Sequence, residues 1–347
     1  MDTLGFPTSL PQFQKFFPND TACAKYLEAV KWPDGFVCPT CGQQNEPYRF
    51  VKRSSVVLRC RACQYNASLT AGTVMQKTHT PLSTWFWGAY LMTTQTPGIS
   101  AVQFQRQLGL TQYETAFTIL HKLRSGMVRP ERDGIGSKWP IEIDEAYVGG
   151  VTRGEGRGVH HKTLVVGAVE VRTKQPSKKK PGGKRTTTPE AELKRKKTFA
   201  GRLRLQVIPD RCTNTLTAFV KENLAPAARV KTDGWQGYDK LPELGYKHLP
   251  LVLAGDPDKA ELHLPTIHLI FSNLKTWITG THHGRIAPKH LQAYLNEYVF
   301  RFNRRFYPMT TFHSILGLAS RTIPPTYEQI YSGVWEHPGS AGSSEVV

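Results

Sequence analysis

Three groups of residues in this 347-residue sequence have types and spacings that could do chemistry. The first centres on Asp144, inside Ile141-Glu142-Ile143-Asp144-Glu145-Ala146-Tyr147-Val148, after Pro140 and before Gly149-Gly150. Strand alternation turns Ile141 and Ile143 one way and Asp144 the other. A carboxylate in so apolar a strand is costly to bury unless something pairs with it. A metal ion is one such partner; a salt bridge, or solvent at an edge strand, is the other reading. The second group is Asp233, which ends a short strand over Ala228–Thr232 before Gly234, and a later helix starting near Pro265. Strand ends in α/β sheets are where ligand-binding carboxylates gather. In the helix, His268 and Lys275 are seven positions apart, so they share one face. They sit at the margin of an apolar stripe of Ile267, Ile270, Phe271, Leu274, Trp277 and Ile278.

The third group is a pair of Cys-x-x-Cys motifs, Cys38/Cys41 and Cys60/Cys63, with eighteen residues between Cys41 and Cys60. Two knuckles at this separation can bring four thiolates together tetrahedrally, the geometry of structural Zn²⁺. Tyr48–Val51 and Val56–Arg59 read as short strands between them, which makes the segment a zinc ribbon. With four protein ligands the site is closed, so it should fold the domain and not catalyse. Buried free thiols are the bland alternative. Arg49, Lys52, Arg53, Arg59 and Arg61 make the ribbon basic, which suits phosphate contacts or a solvated face. Cys23 reads as a small buried residue.

These groups need elements to position them. A helical lead-in runs over Leu10–Phe17 and Cys23–Leu27, with Asn19-Asp20-Thr21 as the cap of its second helix. After the ribbon come helices over Leu82–Thr94, Ile99–Leu108 and Gln112–Arg124. The last two flank Gly109-Leu110-Thr111, a helix-turn-helix pattern that would offer Gln112, Tyr113, Thr115, Thr118 and Lys122 to a DNA groove. Helix hairpins also occur in proteins that bind no DNA. From Trp139 onward, strands at Ile141–Tyr147, Thr163–Val171 and Leu203–Ile208 precede a helix at Thr215–Leu224 and the strand Ala228–Thr232. That order predicts a mixed α/β sheet with an antiparallel part. A basic, Gly/Pro-broken insert at 173–202, with Lys178-Lys179-Lys180 and Lys194-Arg195-Lys196-Lys197, reads as a hairpin extension that clamps phosphates or is simply solvated. A helix from Pro288 carries Arg301, Arg304 and Arg305 as candidate phosphate contacts, and Pro338–Val347 reads as a disordered tail.

Composition narrows the class. The formal net charge is +18 and the pI about 9.7, a balance that points to nucleic acid. No run of about 18 apolar residues would span a membrane, no basic amphipathic anchor is visible, and Met1–Pro18 carries no signal-peptide pattern.

Taken together, these residues resemble a bacterial insertion-sequence transposase of the DDE superfamily, in the branch that carries an N-terminal zinc ribbon. The resemblance rests on Lys31-Trp32-Pro33-Asp34-Gly35-Phe36 before Cys38, Ile143–Gly150, Val166–Glu170, Thr232-Asp233-Gly234-Trp235, Gly280-Thr281-His282-His283-Gly284, and Lys289–Arg305. It implies an RNase H-like mixed sheet with flanking helices, preceded by the ribbon and a helix-turn-helix-like domain. The corresponding boundaries are a lead-in at 1–36, the ribbon at 37–78, the helical domain at 79–135, the catalytic domain at 136–310 and a C-terminal segment at 311–347. It also implies a catalytic set of Asp144, Asp233, His268 and Lys275. The thirty-five-position step from Asp233 to His268 fits the family's pattern.

The implied chemistry is two-metal phosphoryl transfer with Mg²⁺ or Mn²⁺ held by Asp144, Asp233 and the His268 side chain, and Lys275 on a DNA phosphate. Most of the superfamily has Glu at the position of His268, while the branch that this chain resembles accepts Asn or His. Hard Mg²⁺ prefers oxygen, Mn²⁺ tolerates imidazole better, and His268 could instead position water or phosphate. Asn273 is a nearby oxygen donor, about 140° round the helix. Glu145 reads as structural, and His282 and His283 as DNA contacts or loop residues. The implied partners are the double-stranded DNA of element ends and target, with a homodimer or larger assembly in the synapse and a cytoplasmic, nucleoid-associated location. A decayed or domesticated copy that binds DNA without cutting is the alternative. A zinc-ribbon transcription factor would leave everything after Trp139 unexplained.

Overall fold

The zinc-ribbon segment folds as three antiparallel strands in the order β1 (Tyr48–Lys52), β2 (Ser55–Arg59) and β3 (Asn66–Ser68). The first two lie where alternation put them; β3 is too short to leave a pattern of its own. This computed structural model describes residues 7–52, 55–129, 132–149, 162–174, 198–251, 263–284, 286–320, 322 and 324–333. Arg53, most of the basic insert and the tail from Pro338 lie outside the described residues.

By its contacts the chain divides into Met1–Arg132 with Trp277–Val347, and Asp133–Thr276. The division falls inside a helix, so residues 277–310, which the sequence boundaries put with the catalytic domain, cluster with the N-terminal unit. In that unit, α1 (Leu10–Phe16) and α2 (Asp20–Lys31) start at Ser9 and Asn19, whose side chains accept the N–H groups of Gln12 and Ala22. α3 (Leu82–Thr94) is buried on nearly every side, as expected of a helix with no polar face. Around it pack α4 (Ala101–Leu108) and α5 (Tyr113–Ser125), joined through Gly109, whose φ of +62° is left-handed and favours glycine. Phe13 touches the rings of Tyr90 at 4.3 Å, Trp87 at 4.6 Å and Phe312 at 5.5 Å. Phe312 comes from α9 (Pro308–Ala319), after α8 (Pro288–Asn303) and before α10 (Tyr327–Ser332). Fully buried Arg124 on α5 donates to Glu297 on α8 at 2.8 Å. Breaking such a pair costs about 3–5 kcal/mol because the survivor is left as a buried charge.

The second unit is a five-stranded sheet in the order β6-β5-β4-β7-β8. Its strands are β4 (Ile141–Gly149), β5 (Lys162–Thr173), β6 (Thr198–Val207), β7 (Arg229–Thr232) and β8 (Lys247–Pro250). β4, β5 and β6 pair antiparallel, while β4–β7 and β7–β8 are parallel. This is the mixed sheet that the RNase H-like resemblance implies. β5 and β6 still pair at Thr173↔Thr198, so the first residue of the 173–202 insert and its last five belong to strands. The sheet's odd-numbered β4 residues, Ile141 and Ile143, are fully buried with Leu216, Phe219 and Val220 of α6 (Thr213–Asn223). The other face carries α7 (Pro265–His282).

Candidate active site and zinc cluster

Alternation puts Glu142 and Asp144 on the same face of β4, the face that meets the start of α7. Glu142 is 3% exposed. Its Oε2 accepts the N–H groups of Thr266 at 2.8 Å and Ile267 at 3.0 Å, and its Oε1 the Thr266 hydroxyl at 3.2 Å. These are N–H groups that a helix's first turn leaves without intrahelical partners, and a carboxylate there also meets the positive end of the helix dipole. Burial pushes the Glu142 carboxyl up, against the pull of these hydrogen bonds and of the Lys231 charge. Directly across the ladder from Asp144 stands Gly167. A Cβ on it would come within 2.9 Å of Ile267 and 3.0 Å of Phe271, so its bare Cα is what lets α7 lie close to the sheet.

That seating carries His268 to Asp144. His268 Nε2 lies 3.1 Å from Asp144 Oδ2, and both side chains are partly exposed, at 30% and 19%. Asp144 Oδ1 accepts the Glu145 N–H at 2.8 Å. On the other side of β4, the parallel ladder with β7 pairs Ile141 with Val230 and Glu142 with Lys231. Continued past its last bonded pair, the same offset sets Asp233 level with Asp144. Asp233 Oδ1 accepts the Trp235 N–H at 3.0 Å, and Gly234 turns the chain at φ +79°. Glu145 points the other way, and the buried Tyr238 hydroxyl donates to it. Its carboxyl is pushed up to about 7, chiefly by burial and further by the charges of Asp144 and Asp233, against the Tyr238 hydrogen bond. The three carboxylates therefore share one electrostatic neighbourhood.

Asp144, Asp233 and His268 do not yet form a closed ligand cage. Among the described residues, the only group of three or more ligand atoms mutually within 4.8 Å is that of Cys38, Cys41, Cys60 and Cys63. Lys275, two turns after His268, is exposed. In the cysteine cluster, Sγ atoms are 3.6 Å apart for Cys38/Cys63 and 3.7 Å for Cys41/Cys60. Tetrahedral zinc with bonds of about 2.3 Å spaces its sulfurs by roughly 3.8 Å, so this donor set fits zinc. Asn45 and the backbone around Cys63 hold the Cys60 thiol down to about 6, towards the thiolate a metal needs.

Comparison with known proteins covers the regions that carry both sites. Residues 136–303 match the ISXO2-like transposase domain, and residues 18–66 the transposase zinc-ribbon domain. The chain carries an ISXO2-like transposase domain and a transposase zinc ribbon. It is also similar to an uncharacterised protein in transposable element ISH50 of Halobacterium salinarum, 24% identical over 311 residues, which cover 83% of this chain and 92% of that protein. No solved structure gives a significant match. No helix among the described residues is long and apolar enough to cross a membrane.

Gln112 sits at the N-cap position of α5 without a side-chain capping bond and is exposed, whereas Lys122 is half-buried and burial pushes its amine down. α7 continues through Gly280 to His282. His282 packs on Tyr294 at 4.5 Å and Trp277 at 5.2 Å, and burial pushes its imidazole down to about 3. It packs as a neutral residue against these rings. Sequence reading missed Glu142, Gly167 and Tyr238. Glu142 alone left a signal, since it shares the alternation face of Asp144.

Proposed function

We propose that this protein is a DNA transposase that binds the ends of an insertion sequence, cleaves phosphodiester bonds and joins the 3′ ends to target DNA. One observation carries the reading: His268 lies 3.1 Å from Asp144, and Asp233 follows the strand that pairs parallel to that of Asp144, near enough for both charges to act on Glu145. Asp144 and Asp233 are hard oxygen donors of the kind Mg²⁺ and Mn²⁺ take, and they would hold the catalytic ions. When bound, such ions activate an attacking water or 3′-hydroxyl oxygen and stabilise the leaving one.

The chain's own groups do the rest. His268 donates to Asp144 Oδ2 and fixes that carboxylate's orientation, which leaves direct metal binding by its imidazole unnecessary. Exposed Lys275 holds a backbone phosphate beside the reacting bond. Arg301, Arg304, Arg305, Gln112 and Lys122 add DNA contacts, and the formal charge of +18 draws the polyanion in. Synapsis of two ends calls for a homodimer or a larger assembly.

The test is a strand-transfer assay with Mg²⁺ or Mn²⁺ on DNA taken from the gene's flanks. Wild type should join ends and Asp144→Asn should not. Equal activity of the two would refute the assignment. DNA binding without metal-dependent cutting by wild type would instead identify a decayed or domesticated copy, a reading favoured by the histidine where the superfamily carries Glu.

A further inference from the structure

A cavity of about 250 Å³ in the N-terminal unit is lined by Trp277, Tyr298, Arg301, Phe302, Arg304 and Arg305. A void of about 150 Å³ already holds a benzene ring, so a nucleobase fits here. The cavity also holds an excess of positive charge. The nearby acid, Glu297, is fully buried and already engaged by Arg124 at 2.8 Å and Arg301 at 3.5 Å. Arg304 lies over the Phe300 ring at 3.9 Å and donates to the Phe300 carbonyl at 3.3 Å. Among the described residues no carboxylate pairs with it. Burial, with the charge of Arg129, pushes its guanidinium down to about 10. A sequestered cation without an anion is costly, and an anionic occupant would relieve that cost.

A second observation is independent of charge. Trp277 is 6% exposed, and its Nε1 has no hydrogen-bond partner. A Cβ built on Gly98 would lie 2.9 Å from that Nε1 and 2.8 Å from Arg301 Nη1. Bare Gly98 therefore lets the chain pack close against both N–H groups, which belong to residues lining the cavity. Around it stand aromatic rings: Tyr298 lies 5.5 Å from Trp277 and stacks with Phe302 at 6.1 Å. A plain phosphate site would not need the rings, and an apolar ligand would not need the arginines.

We propose that this cavity takes one unstacked nucleotide of bound DNA, with its phosphate on Arg304 and Arg305 and its base against Tyr298 and Phe302. The Trp277 N–H then donates to an oxygen or nitrogen of that nucleotide. The proposal rests on the DNA-binding reading above and adds a base to what would otherwise be backbone contacts.

Three mixed-sequence duplexes test it on the full-length protein: one perfect, one with a single bulged thymidine, and one with an abasic residue at the same bulge. The thymidine bulge should bind about tenfold more tightly than the abasic one, the order of a stacked base's contribution. Trp277→Phe, which keeps a ring but removes the donor, and Phe302→Ala should each narrow that gap. Equal wild-type affinity for the two bulges, with the perfect duplex still bound, would overturn the nucleotide pocket and leave the DNA-binding reading standing. Failure to bind any of the three would overturn both. The wild-type comparison stands whatever the variants do to folding.

Discussion

Glu142 on β4 accepts the backbone N–H of Thr266 at 2.8 Å, so a strand carboxylate closes the first turn of the helix that carries His268. Two residues along the same strand face, Asp144 meets His268 at 3.1 Å. One alternation of β4 thus supplies both the clamp that seats α7 and the acid that α7 serves.

Removing the clamp should cost stability and activity together. Glu142→Ala strands the buried Ile267 N–H and the part-buried Thr266 N–H, and a buried one left unsatisfied costs about 1–3 kcal/mol. We expect a lower urea midpoint and slower strand transfer. Glu142→Gln, whose amide oxygen still accepts, should fall between the two. A Glu142→Ala protein with wild-type midpoint and rate would show that the seating of α7 does not depend on this contact.

His268→Ala should slow strand transfer by roughly 10–100-fold, the usual loss when a group orienting a ligand is deleted. His268→Asn should retain more, because its amide can still donate to Asp144. Rates measured at matched thermal stability decide this; an unaffected His268→Ala would leave the pair at 3.1 Å without a role in the reaction.

Zinc should be a folding ligand of the ribbon. Elemental analysis should find one zinc ion per chain in the wild type and little in Cys41→Ser. A strong chelator should abolish the ribbon's amide protection over β1–β3. Cys23→Ser should keep its zinc, since Cys23 is buried away from the cluster as a small apolar residue, its thiol pushed up to about 12 by that burial. A zinc-free wild type with an intact ribbon would contradict the assignment.

Glu170 should set part of the acid sensitivity. Burial would raise its carboxyl, but Arg172, Arg202 and the N–H groups of Arg202 and Gly136 outweigh burial and hold it below the ordinary 4.5. The folded chain then binds that proton less readily than the unfolded one. The stabilisation is complete above the unfolded value and is lost as pH falls through the folded one. Urea midpoints between about pH 6 and pH 3 should fall for wild type. Glu170→Gln should start lower and fall less; parallel curves for the two would rule this group out.

The sequence by itself determined whatever depends on neighbours along the chain. The paired Cys-x-x-Cys motifs set the zinc knuckles. Period-two alternation placed β4, β5 and β7 to within a few residues. The helical period put His268 and Lys275 on one face. The tertiary structure decided what depends on residues far apart. Only the parallel pairing of β4 with β7 brings the strand that Asp233 follows beside the strand of Asp144. Only Glu142 and the bare Gly167 fix where α7 lies. Only packing against Phe13, Phe17, Phe86 and Tyr90 draws α9 into the N-terminal unit, because its apolar stripe says that something covers it but not what. Local periodicity fixes which face is buried, whereas partner and register are chosen by complementary shape and hydrogen-bond satisfaction across the whole core.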